Sequence, residues 1–322
     1  MYSYSMTQWM FFFYVYCFAG WCIESAYVSV VSRKLTNRGF MRGPFLPLYG
    51  SGAIMMLVVS MPFKDNLFLT YVAGCIGATV LEYVTGVTME ALFQVRYWDY
   101  SNIPFNFQGH VCLGTSLAWG GLTILMTEFV HVPVEKFVLA IPGKTLAVLT
   151  GVLTTGIFMD FALSFKAAID LRDVLYKMEQ VKAEMVHIQK RLDVIIALTG
   201  QGVENYRHAL AESVSNAKDG LVEGMAIRIE DIKSGIEGKL EALKKMVMAR
   251  PSDYQDSMKD ELVELKAKYA VNVADRNRLS RIRDFFQRSM IRANPTMSSE
   301  RFKEALEELK ENARRRHDDK KE

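Results

Sequence analysis

Four acidic residues, Glu24, Glu82, Glu90 and Asp160, stand inside stretches otherwise apolar enough to lie in lipid. An ionisable side chain at the centre of a membrane helix costs about 2.5–3.5 kcal/mol, so such a group faces a partner or a water-filled cavity. Carboxylates so placed can bind a cation or carry a proton, and they can equally pair with arginines that lock helices together. Thr79, Glu82, Gly86 and Glu90 follow 3–4–4 spacing and therefore share one helix face. Gly74 and Ala78 form a small-xxx-small pair that lets another helix approach closely. Glu24 and Tyr27 share a side of the first apolar stretch. The complementary cations are Arg38, Arg42 and Arg96 in the connecting loops.

Two of those loops are denser in polar and aromatic groups than a plain connector needs. Asn37-Arg38-Gly39-Phe40, followed by Arg42-Gly43-Pro44, combines turn formers with cations. Trp98-Asp99-Tyr100-Ser101 leads to Pro104-Phe105-Asn106 and Gly109-His110. Tyr97, Trp98 and Tyr100 also suit an interfacial aromatic belt. The candidate binding set is thus Glu24, Asn37, Arg38, Arg42, Glu82, Glu90, Trp98, Asp99, Tyr100, Asn106 and Asp160, with no catalytic residue assigned.

Other chemistries find no support. Gly143-Lys144-Thr145 mimics the end of a phosphate-binding loop, but position 138 is Val138 and no strand precedes it. The histidines (His110, His131, His187, His208, His317) are scattered without zinc spacing, and Cys17, Cys22, Cys75 and Cys112 read as small buried hydrophobes. No cofactor or metal is expected. Basic residues of the second half alternate with acids, which describes helix faces rather than a nucleic-acid surface.

The elements that must position these residues divide at about residue 165. Residues 1–165 hold eight Lys/Arg and eight Asp/Glu, against 31 and 28 in the remainder, a change of solvent from lipid to water. Five apolar stretches qualify as spans: Gln8–Val31, Phe45–Met61, Leu67–Phe93, Val111–Val130 and Lys144–Phe165. The second is short and begins with Pro44 and Pro47, so a re-entrant segment is its alternative. The first reads as a retained anchor, since no basic region precedes it. Arg33, Lys34, Arg38 and Arg42 put the first loop in the cytoplasm and the N-terminus outside. Glu24 then lies ~10 Å and Glu82 ~16 Å from the inner ends of their helices, at about 1.5 Å per residue.

Beyond the last span, Leu171, Val174, Met178, Val181, Met185, Ile188, Leu192 and Ile195 make a coiled-coil seam. It pairs either between chains, as a parallel dimer, or with later helices of this chain after a reversal at Gly200–Gly202. Amphipathic stretches follow over Leu221–Val247, Tyr254 to about Met290, and from a Ser298 cap to about Leu309; Arg314–Glu322 is a charge run. No sequence repeat stands out. The domains expected are 1–165 in the membrane, 166–200 as coiled-coil continuation, and 201–322 as a cytoplasmic helical domain.

Gly20-Trp21 with Glu24 and Tyr27, then Asn37-Arg38-Gly39-Phe40, Gly43-Pro44, Pro47 and Tyr49-Gly50, resemble the ABC-transporter type IV (CmpB-like) family of bacterial membrane proteins. Glu82-Tyr83, Glu90, Trp98-Asp99-Tyr100-Ser101, Asn106, Gly109, Cys112-Leu113, Ser116 and Trp119-Gly120 continue the resemblance, which covers roughly residues 10–120. It departs at His110, where the family usually carries arginine, so a fixed positive charge is missing there. The resemblance implies a bacterial plasma-membrane protein with a transport role and a separate ATPase subunit as partner.

The resulting expectation is an all-α protein: a polytopic helix bundle of about five spans continuing into a soluble helical, coiled-coil domain. Its leading function is that of a permease with a carboxylate-lined cavity open to the cytoplasm. One alternative is a membrane-embedded enzyme on a lipid substrate, with a carboxylate as general base and arginines on a phosphate. The other is a membrane-anchored scaffold or sensor working through its coiled coil, as a homodimer.

Overall fold

The computed structural model describes residues 4–33, 35–198, 228–248, 255–281 and 284–318. The Gly200–Gly202 reversal, the start of the stretch from Leu221 and the end of the charged tail lie outside them. The architecture is helical, with one two-stranded hairpin among the described residues. Contacts divide the chain into two compact units, Met1–Asp173 with Ile282–Glu322, and Val174–Arg281. The segment after residue 282 thus groups with the apolar half rather than with the helices just before it.

In the first unit, α1 (Met6–Ser32) opens on a capping box: the Ser5 hydroxyl accepts from Gln8 N, and Ser5 N donates to the Gln8 side chain. It ends at Arg33 in the left-handed conformation. The chain from Thr36 to Leu46 then folds back along the helix that it has just left. Thr36 N donates to Ser29 Oγ, Arg38 N to Ser25 Oγ, Trp21 Nε1 to Asn37 Oδ1, and Leu46 N to Cys17 O. Helix α2 (Pro47–Ser60) therefore starts beside the middle of α1. At about 1.5 Å per residue its 14 residues reach only ~21 Å, short of a bilayer core about 30 Å thick.

Four helices are long and apolar enough to cross: Met6–Val31, Leu67–Phe93, Leu113–Leu139 and Gly143–Ile196. The second expected span is the shorter apolar helix Pro47–Phe63, which together with the folded-back loop forms the return leg between α1 and α3 (Leu67–Phe93). Asn66 caps α3 through Leu69 N, and the helix ends at Gln94, again left-handed. Residues 94–112 fold back in turn, through β1 (Asn106–Phe107) and β2 (Val111–Cys112), before α4 (Leu113–Leu125). A π-helical turn, Met126–Val130, joins α4 to α5 (His131–Leu139), and α6 (Gly143–Leu198) follows. Phe12, Tyr16, Leu57, Ala78, Met126 and Val138 are among the side chains that close the core of this unit.

The two helix hairpins repeat one another. Phe13, Cys17 and Glu24 of α1 are spaced as are Tyr71, Cys75 and Glu82 of α3. A Cβ at Gly50 of α2 would meet Cys17 Sγ and lie 2.8 Å from Phe13 O; one at Gly120 of α4 would meet Cys75 Sγ and lie 2.8 Å from Tyr71 O. Each folded-back loop carries a glycine at positive φ, Gly39 at 139° and Gly109 at 72°, the same distance ahead of Gly50 and Gly120. The expectation that the chain holds no repeat is corrected by this geometry.

In the second unit, Met185, Ile188, Leu192 and Ile195 of α6 are buried against Ile229, Ile232, Ile236 and Leu243 of α7 (Ile229–Met248) and Leu265 and Tyr269 of α8 (Gln255–Ser280). The seam is covered within the chain. Arg276, fully buried, donates to Met178 O at 2.9 Å. The single helix expected from Tyr254 to Met290 is two: Asp284 accepts from Phe286 N and Gln287 N and starts α9 (Phe285–Ala293) afresh. The last helix, α10 (Lys303–Asp318), starts after Ser299, whose hydroxyl accepts from Phe302 N, and not at Ser298.

Gly50→Ala and Gly120→Ala should each destabilise the protein by about 1–3 kcal/mol through overpacking at the hairpin contacts. Gly52→Ala and Gly121→Ala, where nothing lies within 4 Å of an added Cβ, should be near neutral. Thermal unfolding in detergent distinguishes the pairs.

Candidate functional site

Glu82 is buried, 6% exposed, and both of its oxygens are engaged. Tyr100 Oη donates to Oε1 at 3.1 Å, and Trp119 Nε1 donates to Oε2 at 3.0 Å. Among the described residues no cation pairs with it. Thr79, one turn earlier on α3, has a buried hydroxyl without a partner. Glu24 stands at the matching place in the other hairpin. Tyr49 Oη donates to its Oε2 at 2.7 Å, and Arg38 Nε lies 3.5 Å from Oε1. The two acids thus occupy equivalent places, each held by a donor from the return helix that follows it.

The other candidates go elsewhere. Glu90 accepts from Arg96 Nε at 2.8 Å and meets His110 Nε2 at 3.1 Å. The cation missing at His110 is thus supplied to this carboxylate by Arg96. Asp160 accepts from Gly43 N at 2.8 Å, beside an open hollow of about 360 Å³ that Arg42, Gly43, Phe45, Gly156, Ile157 and Asp160 line. Arg42 does not stand over the carboxylates: its guanidinium lies 4.6 Å and 4.3 Å from the ring centres of Phe285 and Phe286. Asn37 accepts from Trp21 Nε1 and donates to Arg42 O, and Asn106 ties its own hairpin through Ile103 O and Gly109 N. Trp98 donates to His110 O. These are loop-building contacts.

The C-terminal segment sits on both loops. Arg38 donates to Ala293 O at 3.2 Å and Thr296 Oγ1 at 3.0 Å, and Asn294 donates to Gly39 O at 3.0 Å. Arg96 and Ser298 exchange backbone hydrogen bonds, Thr296 donates to Tyr97 O, and Ser299 to Gln94 O. Arg96 Nη1 also lies 3.2 Å from Glu300. One side chain, Arg38, therefore touches both Glu24 and this segment. No pattern in the sequence marked residues 293–300 as partners of loops more than 190 residues earlier.

A second polar group also escaped the sequence reading. His131 is fully buried, with Tyr4 Oη at 3.1 Å from Nε2 and Tyr16 Oη at 2.6 Å from Nδ1, and Tyr4 also donates to Glu135. The π-helical turn directly before it was the available signal, but only in the structure.

Four helices long and apolar enough to cross, the shorter α2 between two of them and the buried Glu82 describe a polytopic membrane protein. Residues 11–165 match the family described as "Putative ABC-transporter type IV". The match stops where the apolar half does and leaves the later helices outside it. No curated protein and no solved structure matches the chain.

Burial alone would lift the Asp99 carboxyl, yet the Ser101 hydroxyl and amide, the Ser298 hydroxyl and Arg96 outweigh it and hold it below the usual value. A carboxyl lowered in the folded state adds stability above its unfolded value, about 3.9, and loses it as pH falls through the native one. Asp99→Asn should therefore lower the unfolding temperature at neutral pH and flatten its fall below about pH 4.

Proposed function

We propose that the protein is a permease-like membrane protein that moves a small solute or ion past Glu24 and Glu82, from a polar site facing the cytoplasm. The observation that carries this reading is the placement of the two carboxylates at equivalent positions of two repeated hairpins. Each return leg is a folded-back loop followed by a helix that starts beside the preceding one. Repeated halves with interrupted crossings around a midplane site are a recurring way to build a transporter. A structural ion pair would need a cation for each acid, and Glu82 is held by neutral donors instead.

The cations of the first loop favour a cytoplasmic position for it, with the N-terminus outside and a bacterial plasma membrane as the location. An ATPase would be a separate subunit, since the sequence carries no phosphate-binding loop. In the second unit the covered seam favours bundling within one chain over a coiled-coil homodimer.

The test is solute release from proteoliposomes loaded with a cell extract, read by untargeted mass spectrometry. Wild type should release at least one solute faster than empty vesicles, and Glu82→Gln should abolish the difference while inserting normally. Equal release from protein-containing and empty vesicles would remove the transport reading.

A further inference from the structure

We propose that Glu82, which is held by neutral donors, is the member of the pair that takes up and releases a proton, whereas Glu24 is paired with Arg38. This rests on the transport reading of the same site and names its coupling ion.

The repeat makes the comparison between the two acids direct. Each accepts one hydrogen bond from the matching residue of the opposite helix, Tyr49 to Glu24 Oε2 and Trp119 to Glu82 Oε2. The remaining oxygen separates them. Glu24 Oε1 faces Arg38, which can only donate and always carries charge, whereas Glu82 Oε1 faces the Tyr100 hydroxyl, which can donate or accept. When a proton from water reaches Glu82 Oε1, the Tyr100 hydroxyl turns and accepts it, and Trp119 keeps donating to Oε2. The carboxyl thus makes two hydrogen bonds in either state.

The second loop has no cation to play the part of Arg38. Counting back from Gly50 and Gly120, the position matching Arg38 is Gln108, a neutral side chain that accepts from Tyr83 Oη at 3.0 Å. Tyr83 adjoins Glu82 as Ser25, which accepts from Arg38 N, adjoins Glu24. Tyr100 and Trp119 hydrogen-bond Glu82, and His110, paired with Glu90, packs against Gly86 one turn further along α3. Glu82 therefore adds a single unbalanced negative charge, which one proton neutralises. A metal ion would need several oxygen ligands, and among the described residues no group of three or more His, Cys, Asp or Glu is placed to hold one.

Infrared difference spectra of the reconstituted full chain, cycled between low and high pH, test this directly through the carbonyl band of a protonated carboxyl. The wild type should show a reversible band that is lost in Glu82→Gln, kept in Glu24→Gln and shifted in Tyr100→Phe. Size-exclusion profiles and the retained band in Glu24→Gln report folding. A band that survives Glu82→Gln, disappears in Glu24→Gln or is abolished by sodium ions at constant pH overturns the assignment. If Glu82→Gln loses the band while solute release continues, the proton site stands and the transport reading fails; loss of release with the band intact is the reverse.

Discussion

A carboxylate carried into the apolar layer must be met by donors, and that requirement organises the structure around Glu82 and Glu24. Neither α1 nor α3 satisfies its own acid, because a helix commits its backbone groups internally and the donors to both carboxylates come from other elements. The donors come from outside the helix, and they arrive because the following loop folds back along it. Tyr49, Arg38, Tyr100 and Trp119 all lie on, or just after, such a loop. The short α2 and the late start of α4 follow from the same constraint.

The folded-back loops in turn explain the glycines. Gly50 and Gly120 stand where backbone and sulfur of the preceding helix leave no room for a side chain, so each return helix lies directly against its partner. Gly39 and Gly109 adopt positive φ where the loops turn. One arrangement thus serves twice, and the differences between its copies carry meaning. Tyr49 is replaced by Trp119 and Arg38 by Gln108, exchanging a charged surrounding for a neutral one.

The C-terminal segment adds a level that the family match does not reach. Its backbone joins the Arg96 bridge, and its carbonyls and hydroxyls take the hydrogen bonds of Arg38, so the loops are held from the side opposite the carboxylates. Arg42 is stacked on Phe285 and Phe286 as part of this contact, which removes it from any role over Glu82.

Composition alone marked residues 1–165 as apolar enough for lipid and the remainder as charged helix, because long apolar runs and a 3–4 seam each have few physical solutions. It also singled out Glu24 and Glu82, since charge in an apolar run is costly wherever the chain goes. The repeat was hidden: few residues coincide between the copies, among them Cys17 with Cys75, Glu24 with Glu82, Gly50 with Gly120 and Met56 with Met126. Which acids would share a site was hidden too. Glu90 and Asp160 looked equivalent to Glu82 by depth, yet Arg96 and the Gly43 amide claim them. Pairings between Arg38 and Thr296, or Tyr100 and Glu82, depend on where loops turn back and what docks on them. Those are properties of tertiary packing, which local spacing does not encode.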